Sequence, residues 1–181
     1  MDILEQVVEI ETSDGLCETS FIHPKEGAYP AVIIWTDIGG LRNTFKEMGN
    51  KLASEGYSVL IPNPFYRSSR LPTPEKDFDF TNVSHKSKGI EMMKTLYKED
   101  IIENDAISFV KYLDDHKNVD SSKKMGVNGY CMGGFLMMRT VGALPERFGA
   151  GCSFHGGGLV TEGANSPHHL IAKMKTNFHI A

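Results

Sequence analysis

The chain has 181 residues, 40% hydrophobic side chains and a formal net charge of −4 from 19 basic and 23 acidic residues. That size and balance suit one globular domain over residues 1–181, and the absence of a basic cluster argues against nucleic acid or an anionic membrane as a partner. No run approaches the ~20 apolar residues of a membrane span, and the start Met1-Asp2-Ile3-Leu4-Glu5-Gln6 carries no positively charged leader. The three cysteines, Cys17, Cys131 and Cys152, are irregularly spaced, which argues for a reducing compartment over a disulfide framework, so a cytoplasmic location is expected.

Residues 7–11 and 16–22 alternate around the turn signal Ser13-Asp14-Gly15, which predicts an N-terminal β-hairpin. Ala31-Val32-Ile33-Ile34-Trp35 is a continuous apolar run, as for a strand covered on both faces. Over residues 42–55, Phe45, Met48, Leu52 and Ala53 recur at helical spacing, and Gly56 supplies the stop. Ser58-Val59-Leu60-Ile61-Pro62 reads as the next buried strand, ended by Pro62-Asn63-Pro64. Residues 65–88 read as a long polar loop containing Pro72 and Pro74, a length that usually serves function. Residues 90–116 are helical in pattern, as one helix or two, with Ile102, Ala106, Phe109, Val110 and Leu113 forming a stripe in the second part. A strand follows at Met125-Gly126-Val127-Asn128, then a helix around Phe135-Leu136-Met137-Met138. Further on come a strand at Ala150-Gly151-Cys152-Ser153-Phe154, a helix over 168–175 and a last strand from Phe178. Strands alternating with helices after an antiparallel start predict an α/β fold, a three-layer α/β/α sandwich around a mostly parallel sheet. Ligands of such sheets bind beyond the carboxyl ends of the strands.

One such end carries the most specific signal in the chain. Gly129-Tyr130-Cys131-Met132-Gly133-Gly134 follows a strand and precedes a helix, which is the nucleophile-elbow pattern G-x-S-x-G with sulfur in place of oxygen. Such an elbow strains its central residue and lifts that side chain above the sheet. Glycines on either side let strand and helix approach closely. The backbone N–H groups at the helix start favour negative charge on the sulfur and on a developing oxyanion.

Together with Trp35-Thr36-Asp37-Ile38-Gly39-Gly40 and Gly56-Tyr57-Ser58-Val59-Leu60-Ile61-Pro62, the elbow resembles the dienelactone hydrolase family of the α/β-hydrolase fold, over about residues 5–181. The resemblance implies a carboxymethylenebutenolidase-type hydrolase of small esters or lactones, working through a Cys-His-Asp triad and an acyl-enzyme, without a cofactor or metal. It gives Cys131 as the nucleophile and the backbone N–H groups of Ile38 and Met132 as the oxyanion hole. Asp37 matches a family glutamate that contacts the resting thiol, one methylene longer than the aspartate here. Arg67 and Arg70 fall where the family recruits arginines for an acidic substrate. Tyr130 and His155 are expected to line the substrate pocket.

The fold orders its triad as nucleophile, acid, histidine. No aspartate follows Cys131, and the only later carboxylates are Glu146 and Glu162. The resemblance puts the acid beyond Ala181 and the histidine further still, so the chain is expected to be a C-terminally truncated form of a longer hydrolase. A non-catalytic fragment or interaction module is the alternative, with the final strand offering an edge for a homodimer. His155-Gly156-Gly157-Gly158 mimics a lipase oxyanion motif but follows the nucleophile, so it reads as a turn near the site. His168 and His169 read as surface or capping residues with no zinc spacing around them.

Overall fold

The computed structural model describes residues 1–69 and 78–181. β1 (Ile3–Thr12) and β2 (Gly15–Pro24) form the expected hairpin, in register from Ile3 opposite Pro24 to Thr12 opposite Gly15. Gly15 takes φ +124°, a conformation open to glycine alone at no cost, and the Thr12 hydroxyl donates to its carbonyl at 2.8 Å. β2 then pairs antiparallel with β4 (Ser58–Pro62), and every later contact in the sheet is parallel. With β3 (Ala31–Trp35), β5 (Met125–Tyr130), β6 (Phe148–Phe154) and β7 (Asn177–Ile180), the order is β1-β2-β4-β3-β5-β6-β7. This is the mostly parallel, helix-covered sheet read from the sequence.

β3 and β4 are buried at every position, which is why β3 reads as an unbroken apolar run and β4 as a buried strand. α1 (Asn43–Ser54) covers one face, over a core of Ile22, Val32, Ile34, Phe45, Val59 and Ile61. α2 (Val83–Leu96), α3 (Ile101–Asp115) and α4 (Gly133–Ala143) pack on the other. α4 is buried from Gly133 to Gly142. Trp35 donates its indole N–H to the Thr140 hydroxyl at 2.9 Å, tying α4 to the central strand. Among the described residues no helix is long and apolar enough to cross a membrane.

Two segments differ from the sequence reading. α2 begins at Val83, inside the stretch read as loop, because the Asn82 side chain caps it by accepting the Ser84 and His85 N–H groups. The segment read as a helix over 168–175 is a 3₁₀ turn, Pro167–Lys173, whose only buried residue is Pro167. It lacks an apolar face long enough to favour a full α-helix.

Candidate active site

Cys131 follows β5 directly and has φ +54°. A non-glycine residue in this left-handed region is strained, and packing on three sides holds it there. A Cβ on Gly129 would land inside the Gly133 carbonyl, so strand and helix are in backbone contact. One on Gly133 would lie 2.5 Å from the Trp35 carbonyl oxygen and 2.7 Å from that of Thr36. One on Gly134 would lie 2.6 Å from the Ser153 hydroxyl. The Cys131 N–H donates to the Phe154 carbonyl at 3.1 Å, and its carbonyl accepts the N–H groups of Gly134 and Gly157, each at 3.0 Å. The elbow is thus wedged between β3 and β6, with its side chain partly exposed.

The loop after β3 forms the second wall. Asp37 folds back on it: one carboxylate oxygen accepts the Gly39 N–H at 2.8 Å and an Arg42 nitrogen at 2.6 Å, and the other accepts the second Arg42 nitrogen at 2.7 Å. This two-pronged pair is largely buried and fixes the turn. Among the described residues, the N–H groups of Ile38 and Met132 donate to no protein acceptor. They stand at the carboxyl ends of β3 and β5, adjacent strands in the sheet. Gly89 of α2 presses on Ile38 from above, with a Cβ there only 2.8 Å from Ile38 Cγ1. An elbow cysteine beside two unclaimed amide donors is an arrangement that can attack a carbonyl and hold the resulting oxyanion.

The model of the dienelactone hydrolase family matches residues 17–180. The chain belongs to the dienelactone hydrolase family. An Aquifex aeolicus protein provisionally named carboxymethylenebutenolidase is 29% identical over 154 residues, covering 83% of this chain and 61% of the relative. The carboxymethylenebutenolidase of Rhodococcus opacus is 26% identical over 142 residues, 77% of this chain and 50% of that protein. The chain therefore spans between half and about three fifths of these relatives' length. Among solved structures, a Klebsiella pneumoniae protein provisionally named dienelactone hydrolase superposes with a TM-score of 0.80 at 17% identity, over 99% of this chain and 72% of that one. A dienelactone hydrolase-like promiscuous phosphotriesterase from metagenomic libraries gives 0.72 at 20% identity, over 99% and 68%. These structures share the α/β-hydrolase fold.

Against this family framework the expected site residues divide. Cys131, Ile38 and Met132 follow the carboxyl ends of the adjacent strands β3 and β5. Asp37 lies in the adjoining loop, but its carboxylate is committed to Arg42 and the Gly39 N–H. His155 is exposed, at φ +43°, and its N–H donates to the Ala181 carbonyl at 2.7 Å, closing the turn beside Cys131. Two assignments need correction. Arg67 is not free for a substrate: it makes two bonds to buried Asp105, at 2.7 and 2.9 Å, and a third to Asp14 at 2.7 Å, with its guanidinium 4.4 Å over the Tyr66 ring. These acidic partners keep it charged despite burial. Tyr130 does not face the pocket either. Its ring packs between Phe45, at 5.5 Å, and Phe154, at 5.1 Å, on the α1 side of the sheet. Arg70 lies outside the described residues.

The other histidines are engaged elsewhere. His168 shares a 2.6 Å hydrogen bond with Ser166, and His179 lies on β7 with its ring 6.1 Å from Phe154. The His23 and His116 rings lie 5.3 Å apart, tilted by 59° to each other, near the amino end of β4. Two residues at the site carried no motif. Arg42 holds Asp37, and its signal was the pairing of opposite charges within one short loop. Tyr97, just past α2, lies within electrostatic reach of Cys131, and nothing in the sequence marked it.

Proposed function

We propose that this chain carries the nucleophile and the oxyanion-binding half of a cysteine hydrolase acting on small esters or lactones. The Cys131 thiolate attacks the carbonyl carbon. The carbonyl electron pair moves to the oxygen, which the Ile38 and Met132 N–H groups stabilise, and collapse expels the alkoxide, which solvent protonates, to leave a thioester on Cys131. Each good donor contributes about 3–4 kcal/mol to such a transition state. The observation that carries this reading is Cys131 held at φ +54° beside two amides without protein acceptors. Membership of a family whose relatives include carboxymethylenebutenolidases supports the substrate class. The reading also places the protein in a reducing cytoplasmic setting, where the free cysteines remain thiols.

Deacylation needs a base for water. Asp37 is held by Arg42 and His155 projects outward, so the acyl-enzyme outlives its formation. With 4-nitrophenyl acetate the chain should release about one equivalent of nitrophenol in a burst, followed by slow turnover, with the acetyl group recovered on the Cys131 peptide by mass spectrometry. The Cys131→Ala variant should show no burst. An equal burst from that variant, or none from the parent chain, would overturn the assignment.

A further inference from the structure

Tyr97 is the first residue past α2. Its ring meets Phe135, in the first turn of α4, edge-on with centroids 4.3 Å apart. Its hydroxyl lies 3.7 Å from where a Cβ on Gly158 would be. The same turn grips the elbow, since the Gly157 N–H binds the Cys131 carbonyl. The phenol is therefore bracketed by the two segments that close around Cys131. Burial raises its pKa, and a charge on Cys131 raises it further, so the hydroxyl keeps its proton at neutral pH. Among the described residues it has no hydrogen-bond partner, although the backbone carbonyl of Tyr97 accepts the Asn165 side chain at 3.4 Å. Phenylalanine would fill the same space against Phe135. A half-buried hydroxyl without a protein acceptor, beside the turn that holds the Cys131 carbonyl, is a donor waiting for an acceptor.

The oxyanion is claimed by Ile38 and Met132, which leaves the departing oxygen in need of a donor. We propose that the Tyr97 hydroxyl donates a hydrogen bond to the leaving-group oxygen as the Cys131 thioester forms. This rests on the nucleophile assignment above. In the step, the Sγ–C bond forms and the carbonyl pair moves to the oxyanion. As that pair returns, the C–O bond to the alcohol or phenol breaks, and its electrons stay on the departing oxygen. Tyr97 stabilises that charge while keeping its own proton, and solvent protonates the product.

The test is a series of substituted phenyl acetates, from 4-nitrophenyl to unsubstituted phenyl, with acylation followed by phenol release for the parent chain and Tyr97→Phe. A donor to the leaving oxygen matters more as the leaving group becomes more basic. The variant should lose roughly 10- to 100-fold on phenyl acetate and little on 4-nitrophenyl acetate, so that its log rate falls more steeply with leaving-group pKa. The slope does not depend on the fraction of folded enzyme, so partial unfolding cannot imitate the result. A parallel line, or no change, would overturn the proposal. Cys131→Ala runs beside both: loss of its burst together with parallel Tyr97 lines leaves the nucleophile standing and removes only Tyr97, whereas a burst that survives Cys131→Ala removes both.

Discussion

Replacing Gly133 with alanine tests the elbow through backbone atoms alone. The new methyl would lie 2.5 Å from the Trp35 carbonyl oxygen and 2.7 Å from that of Thr36. Ordinary contact begins near 3.4 Å, so α4 must withdraw from β3 by about 0.7–0.9 Å. No rotamer change relieves this clash, because both obstacles are main-chain atoms of a buried strand and its exit. Overpacking of this kind costs about 1–3 kcal/mol. For a domain of this length each kcal/mol lowers Tm by about 2–4 °C, so a fall of roughly 2–12 °C is expected. The same withdrawal drags the neighbouring Met132 N–H off the oxyanion. A displacement near 1 Å costs up to about 100-fold in rate, approaching the loss of one donor. Thermal melts and the 4-nitrophenyl acetate burst measure the two effects. Gly157→Ala is the control, since a methyl there meets nothing within 4 Å. If Gly133→Ala melted and acylated like that control, the backbone contact between α4 and β3 would not be what seats the nucleophile.

Arg67→Met should destabilise the fold by about 3–5 kcal/mol, because it strands the carboxylate of Asp105, which is 2% exposed. The burst rate per folded molecule should not change; a slower burst at undiminished stability would return Arg67 to the substrate pocket. Stability should also fall in mild acid. Burial, with His23 and Lys117 adding to it, holds the His116 pKa below its ordinary 6.5, so the unfolded chain takes up its proton first as pH drops. The His116 contribution is present above that value, is lost progressively below it, and levels off once the folded form is protonated. Protonation also removes the acceptor that Nδ1 offers to the Asn118 N–H at 3.2 Å. His116→Gln should therefore give a shallower decline of Tm between pH 7 and 5, and an unchanged slope would assign the acid sensitivity to other groups.

Where a residue's role is set by its neighbours in sequence, it was legible. β3 begins and ends where its apolar run does, and β4 adds only Ser58, whose hydroxyl donates to the Asn118 carbonyl, since burial on both faces leaves no unpartnered polar position in either. The elbow was legible because its glycines answer to backbone contacts that no other residue type permits. The start of α2 was missed although its cap, Asn82, was present. The helix is largely exposed, with only Gly89 and Leu96 buried, so the apolar stripe that marks a helix is faint. Arg67 was misread because its partner Asp105 arrives from another element, and only the folded chain brings the two together. Tyr130 was misplaced for a related reason. It adjoins the nucleophile in sequence, but it closes β5 on the α1 side of the sheet, whereas Cys131 lies past the strand in a left-handed turn. Tyr97 owes its position to its contact with Phe135 of α4, which no local pattern encodes.

The wedging of the elbow between β3 and β6 also bears on how the reactive centre opens. Its hydrogen bonds and close contacts join Trp35 and Thr36, residues 129–134 and residues 153–157, all through main-chain atoms or buried groups. None of these segments can detach alone without tearing the central strands apart. The amide of Gly134 should therefore exchange with solvent only through the largest cooperative opening of the domain, whereas those of the exposed α2 exchange through a smaller one. Solvent and small reactants meet the thiol at its partly exposed face, not by fraying of its seat.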